Sequence, residues 1–282
     1  MHFRHLKEMG AKDFACFNWI RLEAWARARR VRGSYHVLRE EDLSARLKSE
    51  TVFIFGSGYS LNELAAAEWD HFRGHDTLGL NWFVYQRWIP LGYHYVREVG
   101  NPEQRFSREG WLDHVRRFSE EVNSSSLFKE TVFFIQHDFV GLVGNMLVGC
   151  RLLRPGQTIF LYNGYRGGNL PTRSLRAGIP RAEGAIGGAI NLAYLIGWKH
   201  IVLVGVDLYD TRYFWLKENE SREGKPVDAP HPSVGRGIMD RVGNWREALE
   251  AQGVRVMVYN PRSLLAETLP VYQSPAIAER HS

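Results

Sequence analysis

From residue 51 onward, short apolar runs alternate with helical patterns, and this alternation constrains the fold of the 282-residue chain more than any other feature. Residues 52–55, 77–80, 93–99, 131–136, 158–162, 201–206 and 254–259 read as strands, because each is a short, largely apolar run, most of them rich in β-branched or aromatic residues. Several are continuously apolar rather than alternating, as strands buried on both faces must be. Between them, residues 61–69, 106–122, 185–196 and 240–251 carry helical periodicity, and Gly197 and Gly253 close the last two. Strands and helices alternating at this spacing imply an α/β fold, a mostly parallel sheet with helices on both faces. No internal repeat interrupts the pattern.

The first 50 residues obey a different grammar, without strand-like alternation. Residues 14–31 set Phe14, Phe17, Ile20, Leu22, Trp25 and Val31 among Arg21, Arg27, Arg29 and Arg30, with Arg32 just beyond. Such a basic amphipathic helix can lie on an anionic membrane surface, or pack its apolar side on the main domain and leave its arginines in water. The chain therefore divides into a basic helical extension, residues 1–50, and an α/β domain, residues 51–282.

Composition removes several function classes. With 44% hydrophobic and 24% charged residues the chain can bury a core, which excludes disorder as its main state. Its 36 Lys and Arg against 31 Asp and Glu give a net charge of only +5, with both signs mixed along the chain, so nucleic acid is not the expected partner. The apolar runs fall far short of the roughly 20 residues that a membrane-spanning helix needs. Charges interrupt residues 1–32, so no secretory signal is expected there. Cys16 and Cys150 make neither a disulfide framework nor a zinc site and fit a reducing compartment. The expectation is a cytoplasmic protein, peripheral on the inner face of the cell membrane if the basic helix faces lipid, with a homo-oligomer compatible with either.

In open α/β sheets, ligands bind beyond the carboxyl ends of the strands. The residues there are Gly56-Ser57-Gly58-Tyr59-Ser60, Asn81, Asn101-Pro102 and Asp207-Leu208-Tyr209. A glycine-rich turn lets backbone approach a phosphate or ribose, and the helix start that follows offers N–H donors to an anion. The dinucleotide fingerprint is incomplete, because Leu61 and Asn62 replace its third glycine and Asn81 stands where an acid would end the second strand. A lysine-bearing phosphate loop is also missing, which argues against triphosphate hydrolysis. The other reading of residues 56–60 is a tight strand-to-helix turn with Ser60 as the helix cap.

Phe53-Ile54-Phe55-Gly56-Ser57-Gly58-Tyr59-Ser60-Leu61, Asn81-Trp82-Phe83 and Gly100-Asn101-Pro102 together resemble the first half of the bacterial lipooligosaccharide sialyltransferases, glycosyltransferase family 42. The run Leu195-Ile196-Gly197-Trp198-Lys199-His200-Ile201-Val202-Leu203-Val204-Gly205-Val206-Asp207-Leu208-Tyr209 is similar to that family's helix, glycine turn and strand. Asn260-Pro261-Arg262-Ser263-Leu264-Leu265 resembles its closing turn. The similarity spans roughly residues 52–265.

The resemblance implies a Rossmann-like nucleotide-binding domain, a GT-A-like glycosyltransferase with a small lid, here around residues 210–236. It would transfer a nonulosonic acid such as sialic acid from its CMP-activated form to a glycan or glycolipid hydroxyl, with inversion. It assigns donor binding to Gly56, Ser57, Gly58, Ser60, Asn81, Asn101, Arg181 and Asp207, and stabilisation of the departing phosphate to Tyr209 and Tyr213. O–H donors can supply that stabilisation without a metal. No Asp-x-Asp is present, since Asp207 and Asp210 are two residues apart, and the resemblance implies no cofactor beyond the donor. His231, in Asp228-Ala229-Pro230-His231-Pro232-Ser233, takes the place of the general base, a task for a group titrating near neutrality. The residues alone equally allow Tyr209 and Tyr213 to pack under a loop and His231 to be a surface loop histidine.

Two departures leave the donor open among sialic acid, Kdo, pseudaminic acid and legionaminic acid. Arg181-Ala182-Glu183-Gly184-Ala185 lacks the hydroxyl of the family's turn, although Arg181 suits a carboxylate or phosphate, and Ser57 stands where the family commonly has asparagine. A second enzymatic reading keeps the fold and takes a triphosphate with magnesium, as in proteins resembling pterin pyrophosphokinases or motility accessory factors. A third is a non-catalytic sugar- or nucleotide-binding module with Trp82, Trp88 and Trp215 as platforms.

Overall fold

The structure, a computed structural model, describes residues 2–97, 108–165, 167–180, 184–221 and 226–273, with side chains from residue 10 on and without that of Arg108. The described strands are β1 (His36–Val37), β2 (Thr51–Phe55), β3 (Asp76–Leu80), β4 (Tyr93–Val96), β5 (Val132–Gln136), β6 (Thr158–Tyr162), β7 (Gly164–Tyr165), β8 (Ile179–Pro180), β9 (His200–Val204) and β10 (Arg255–Val258). The helices are α1 (His2–Val31), α2 (Glu40–Ser44), α3 (Ala66–Arg73), α4 (Arg108–Ser124), α5 (Leu142–Gly149), α6 (Ala185–Ile196) and α7 (Ile238–Glu250).

Eight strands form one sheet in the order β1-β6-β5-β4-β3-β2-β9-β10, and every pairing in it is parallel. From β2 the chain winds outward through β3, β4, β5 and β6, then returns to the opposite edge of β2 as β9 and continues to β10. The winding direction thus reverses between β2 and β9, which makes their carboxyl ends the topological switch point where open α/β sheets bind ligands. β7 and β8 pair separately.

The period of two along each strand divides the interior into two cores. Val52 and Ile54 of β2 point to a core shared with α6 and α7, whose Ile190, Ala193, Val242 and Trp245 are buried there. Phe53 and Phe55 point to the opposite core, closed by α1, α3, α4 and α5 through residues such as Ala24, Phe72, Phe118 and Met146. Helices cover both faces of the sheet, as the sequence pattern implies.

Several elements differ from expectation for physical reasons. The helix expected over 61–69 begins only at Ala66. The preceding Tyr59–Glu63 is a 3₁₀ turn tied elsewhere, and Glu68 accepts the Ala65 N–H at 2.8 Å to start the helix. The strand expected over 201–206 stops at Val204, because Gly205 turns to φ 63°. α5 was not expected, and its Leu-Val-Gly-Asn-Met-Leu-Val-Gly sequence is apolar all round and buried through Val148.

Within residues 1–50, His36–Val37 pairs with β6 and so joins the main sheet. α1 lays Ile20, Ala24 and Ala28, four residues apart, on the domain. A Cβ on Gly149 of α5 would lie 2.9 Å from the Ala28 nitrogen and 3.0 Å from the Ala24 carbonyl oxygen, so the two backbones approach as closely as glycine permits.

Candidate functional site

At the switch point the turn after β2 and the turn after β9 are packed against each other. The Gly56 N–H donates to the Val204 carbonyl at 2.8 Å and the Gly58 N–H to the Gly205 carbonyl at 2.7 Å. A Cβ on Gly56 would stand 2.4 Å from the Gly205 oxygen, and one on Gly58 would stand 2.2 Å from Asp207 Oδ2. Glycine is therefore demanded here by the neighbouring turn, a cause that the sequence reading did not include. The Ser57 carbonyl accepts the Phe214 N–H at 3.2 Å, so the segment after β9 folds back onto the same turn.

Asp207, only 3% exposed, is the hub of this arrangement. Its Oδ1 accepts Ser60 Oγ at 2.5 Å and Asn260 Nδ2 at 3.1 Å, and its Oδ2 accepts the Ser60 N–H at 3.0 Å. Burial raises the Asp207 pKa, and the bonds from Ser60 and Asn260 pull it back. Ser60 is consequently not the cap of α3, whose N-cap is Ala65, but an anchor between two strand ends. Asn260 has no site role in the sequence pattern beyond its place in the closing turn, although a polar residue directly after the last expected strand is itself a signal.

Tyr209 is half-buried, and the Asn260 side chain beside it favours its charged form. Burial first, and the nearby Asp207 charge second, push its pKa up to about 12, so at neutral pH it is a phenol with a proton to donate. The Arg262 guanidinium lies 6.0 Å from its ring centre and pairs with Glu63.

Tyr213 and His231 meet on the other flank. Tyr213 forms an antiparallel bridge with Gly58, its ring stacks on Trp215 at 4.8 Å, and its hydroxyl lies 3.3 Å from His231 Nε2. The His231 N–H donates to the carbonyl of Leu208, a non-glycine residue at φ 63°. His231 Nδ1 accepts the Ser233 N–H at 3.2 Å. A neutral imidazole that accepts at Nδ1 carries its proton on Nε2, so the ring donates toward the Tyr213 oxygen and leaves the phenol's own proton out of this contact.

Asn81, directly after β3, adopts φ 42°. Its carbonyl accepts His94 Nε2–H at 3.0 Å and its Oδ1 accepts the Arg97 N–H at 2.9 Å, joining the ends of β3 and β4. Arg97 in turn donates to the Gly184 carbonyl at the start of α6. His94 is fully buried, and burial lowers its pKa to about 3. A histidine inside an apolar strand gave no sequence signal for this supporting position. Asn101 and Arg181 lie outside the described residues.

Aromatic rings run from Asn81's turn toward Tyr213: Trp82 lies 5.5 Å from Tyr85, and Tyr85 lies 5.1 Å from Trp215. Trp82 is buried and Trp88 covers Trp69 at 4.5 Å, so these two rings pack rather than present an open sugar platform.

Taken together, the turns after β2, β9 and β10 meet at the carboxyl end of the sheet, with the Tyr209 phenol beside them. Among the described residues, no group of three or more His, Cys, Asp or Glu is placed to hold a metal ion. None of the described helices is long and apolar enough to cross a membrane. Compared with known proteins, the chain matches no family model and no curated sequence.

Proposed function

We propose that the chain is a GT-A-like glycosyltransferase that moves a nonulosonic acid, sialic acid or a related one, from its CMP-activated form to a glycan hydroxyl, with inversion and without a metal. The observation that carries this reading is the meeting of Gly58, Tyr213 and His231 beside the switch point, with Tyr213 bridging Gly58 and facing His231 at 3.3 Å. These residues come from separate segments, and the reading gives them adjoining tasks. The nucleotide occupies the turn of Ser57 and Gly58 and the end of β3 at Asn81, beside a lid around residues 210–236, of which residues 222–225 lie outside the described residues.

In the reaction, the acceptor oxygen attacks the anomeric carbon as the bond from that carbon to the phosphate oxygen breaks, and CMP leaves with the electron pair. The acceptor proton goes to His231. As the base His231 needs a lone pair toward the acceptor, and on either nitrogen this requires the Ser233 N–H to release Nδ1, which then takes the acceptor proton itself or receives the proton that leaves Nε2. Tyr209 and Tyr213 donate O–H bonds to the leaving phosphate, the kind of contact whose loss costs about 10²-fold or more in rate.

The test is CMP release from CMP-sialic acid and from CMP-Kdo in EDTA, comparing wild type with His231→Ala and Tyr209→Phe. Release that survives EDTA and falls in both variants supports the proposal and identifies the donor. No release, with no rise in melting temperature on adding CMP, overturns it and directs attention to triphosphates. CMP binding without turnover favours the binding-module reading.

A further inference from the structure

We infer that the outer face of α1 is a docking surface for an anionic lipid bilayer, independently of the transferase reading. α1 turns about 100° per residue, so the side opposite the buried Ile20, Ala24 and Ala28 carries Trp19 and Leu22, with Lys12 and Arg30 at its margins, while the Arg29 guanidinium lies over the Trp25 ring at 4.5 Å. Trp19 is 66% exposed and Leu22 is 42% exposed. The helix spends its small residues on α5 and turns its largest ring outward, the reverse of what packing alone would select.

The charge around this face fits one partner. Residues 12–32 hold six Lys or Arg against two acids, a net of +4 out of the chain's +5. One of those acids, Glu23, is already paired with Arg27 at 2.6 Å. Lys12, Arg29, Arg30 and Arg32 are exposed. An exposed Trp and Leu edged by arginines match the headgroup boundary of an acidic membrane, where the ring and the aliphatic side chain enter below the phosphates and the guanidinium groups bind them. A protein partner would meet a narrow apolar strip with unsatisfied cations on its margins, a poorer match to the aromatic cores and charge-depleted centres of protein interfaces.

The experiment is flotation of the full chain with vesicles of phosphatidylcholine alone or with phosphatidylglycerol added, at low and high salt. Trp19→Glu and Leu22→Glu are compared with wild type, with circular dichroism and melting temperature as fold controls. Both sites are exposed, so both variants keep the fold. The proposal expects recovery with the anionic vesicles alone, loss of recovery in high salt through screening, and at least a tenfold fall in partitioning for either variant. Equal recovery on both vesicle types, or no recovery on either, overturns it. So does recovery that both variants retain. A dimer in sedimentation velocity that Trp19→Glu abolishes, without vesicle binding by wild type, overturns it in favour of a second copy of this chain.

Discussion

Ser60 donates its hydroxyl to Asp207 Oδ1 at 2.5 Å and its backbone N–H to Oδ2 at 3.0 Å, across 147 residues of sequence. Two strand ends on either side of the switch point are thereby one rigid unit, and Asn260 ties the end of β10 to the same carboxylate. Removing the Ser60 hydroxyl leaves a buried carboxylate short of one charge-assisted bond, which costs about 1.5–3 kcal/mol. Urea unfolding of Ser60→Ala should show a loss in that range with an unchanged slope.

Glycine at position 58 is demanded by contact within the protein itself, before any ligand approaches, and an alanine scan of the glycines measures that demand. Gly58→Ala drives its methyl into Asp207 and the Gly205 carbonyl, so a loss of about 1–3 kcal/mol is expected with no ligand present. Gly235→Ala has nothing within 4 Å of its new methyl and serves as the control, with stability unchanged or slightly raised. Equal melting temperatures for the two variants would show that the turns are not locked as described.

The strands of the sheet are legible in the sequence because a continuous apolar run of four or more residues, such as Val52 to Phe55, announces burial on both faces without reference to any partner. α5 is not legible for the same reason inverted, since a helix buried all round has no polar face and hence no period. β1, β7 and β8 are two-residue pairings, too short for alternation to register. At the site, the position of residues immediately after strands could be read from topology alone. Which of them touch could not, because the bonds of Asp207 to Ser60 and Asn260 join segments far apart in the chain. His94 was invisible because its role depends on Asn81 turning to positive φ and presenting its carbonyl inward.

His94 should make the protein sensitive to acid. Its pKa falls from an ordinary 6.5 to about 3 on burial, so the unfolded chain binds a proton that the folded chain refuses. Stability is full above pH 6.5 and falls by about 1.4 kcal/mol per pH unit for this one group until about pH 3. His71 and His75, lowered by burial, act in the same direction, whereas the raised Asp207 acts oppositely, its neutral form adding stability at low pH that is lost as pH rises through its folded pKa. His94→Gln keeps a donor for Asn81 and removes the titration. Unfolding free energies measured from pH 7 to pH 4 should therefore decline less steeply in this variant than in wild type, by close to one proton.

Asn81 combines a positive φ with a side-chain bond to the Arg97 N–H, and two substitutions separate these contributions. Asn81→Gly accepts φ 42° without strain and loses only the bond. Asn81→Ala loses the bond and also pays the left-handed backbone cost of about 1–2 kcal/mol. The alanine variant should thus melt below the glycine variant, an order opposite to that expected at a residue with ordinary φ. If the glycine variant is the less stable, the conformation at position 81 is not the one described.

The contact between Tyr213 and His231 makes a prediction about coupling rather than about either residue alone. Were the two to act separately, the rate losses of Tyr213→Phe and His231→Ala in CMP release would multiply in the double variant. Because the imidazole N–H is directed at the Tyr213 oxygen, removing His231 also disturbs the phenol's orientation, and removing the hydroxyl takes away what holds the ring. The double variant should therefore be only slightly slower than the worse single one, as for residues that act as a unit. Tyr213 is half-buried and loses one hydroxyl, so the stability of Tyr213→Phe should stay within about 1 kcal/mol of wild type, and a rate loss cannot then be attributed to unfolding. Fully multiplicative losses would mean that the 3.3 Å approach is incidental to the chemistry and that the two side chains act independently.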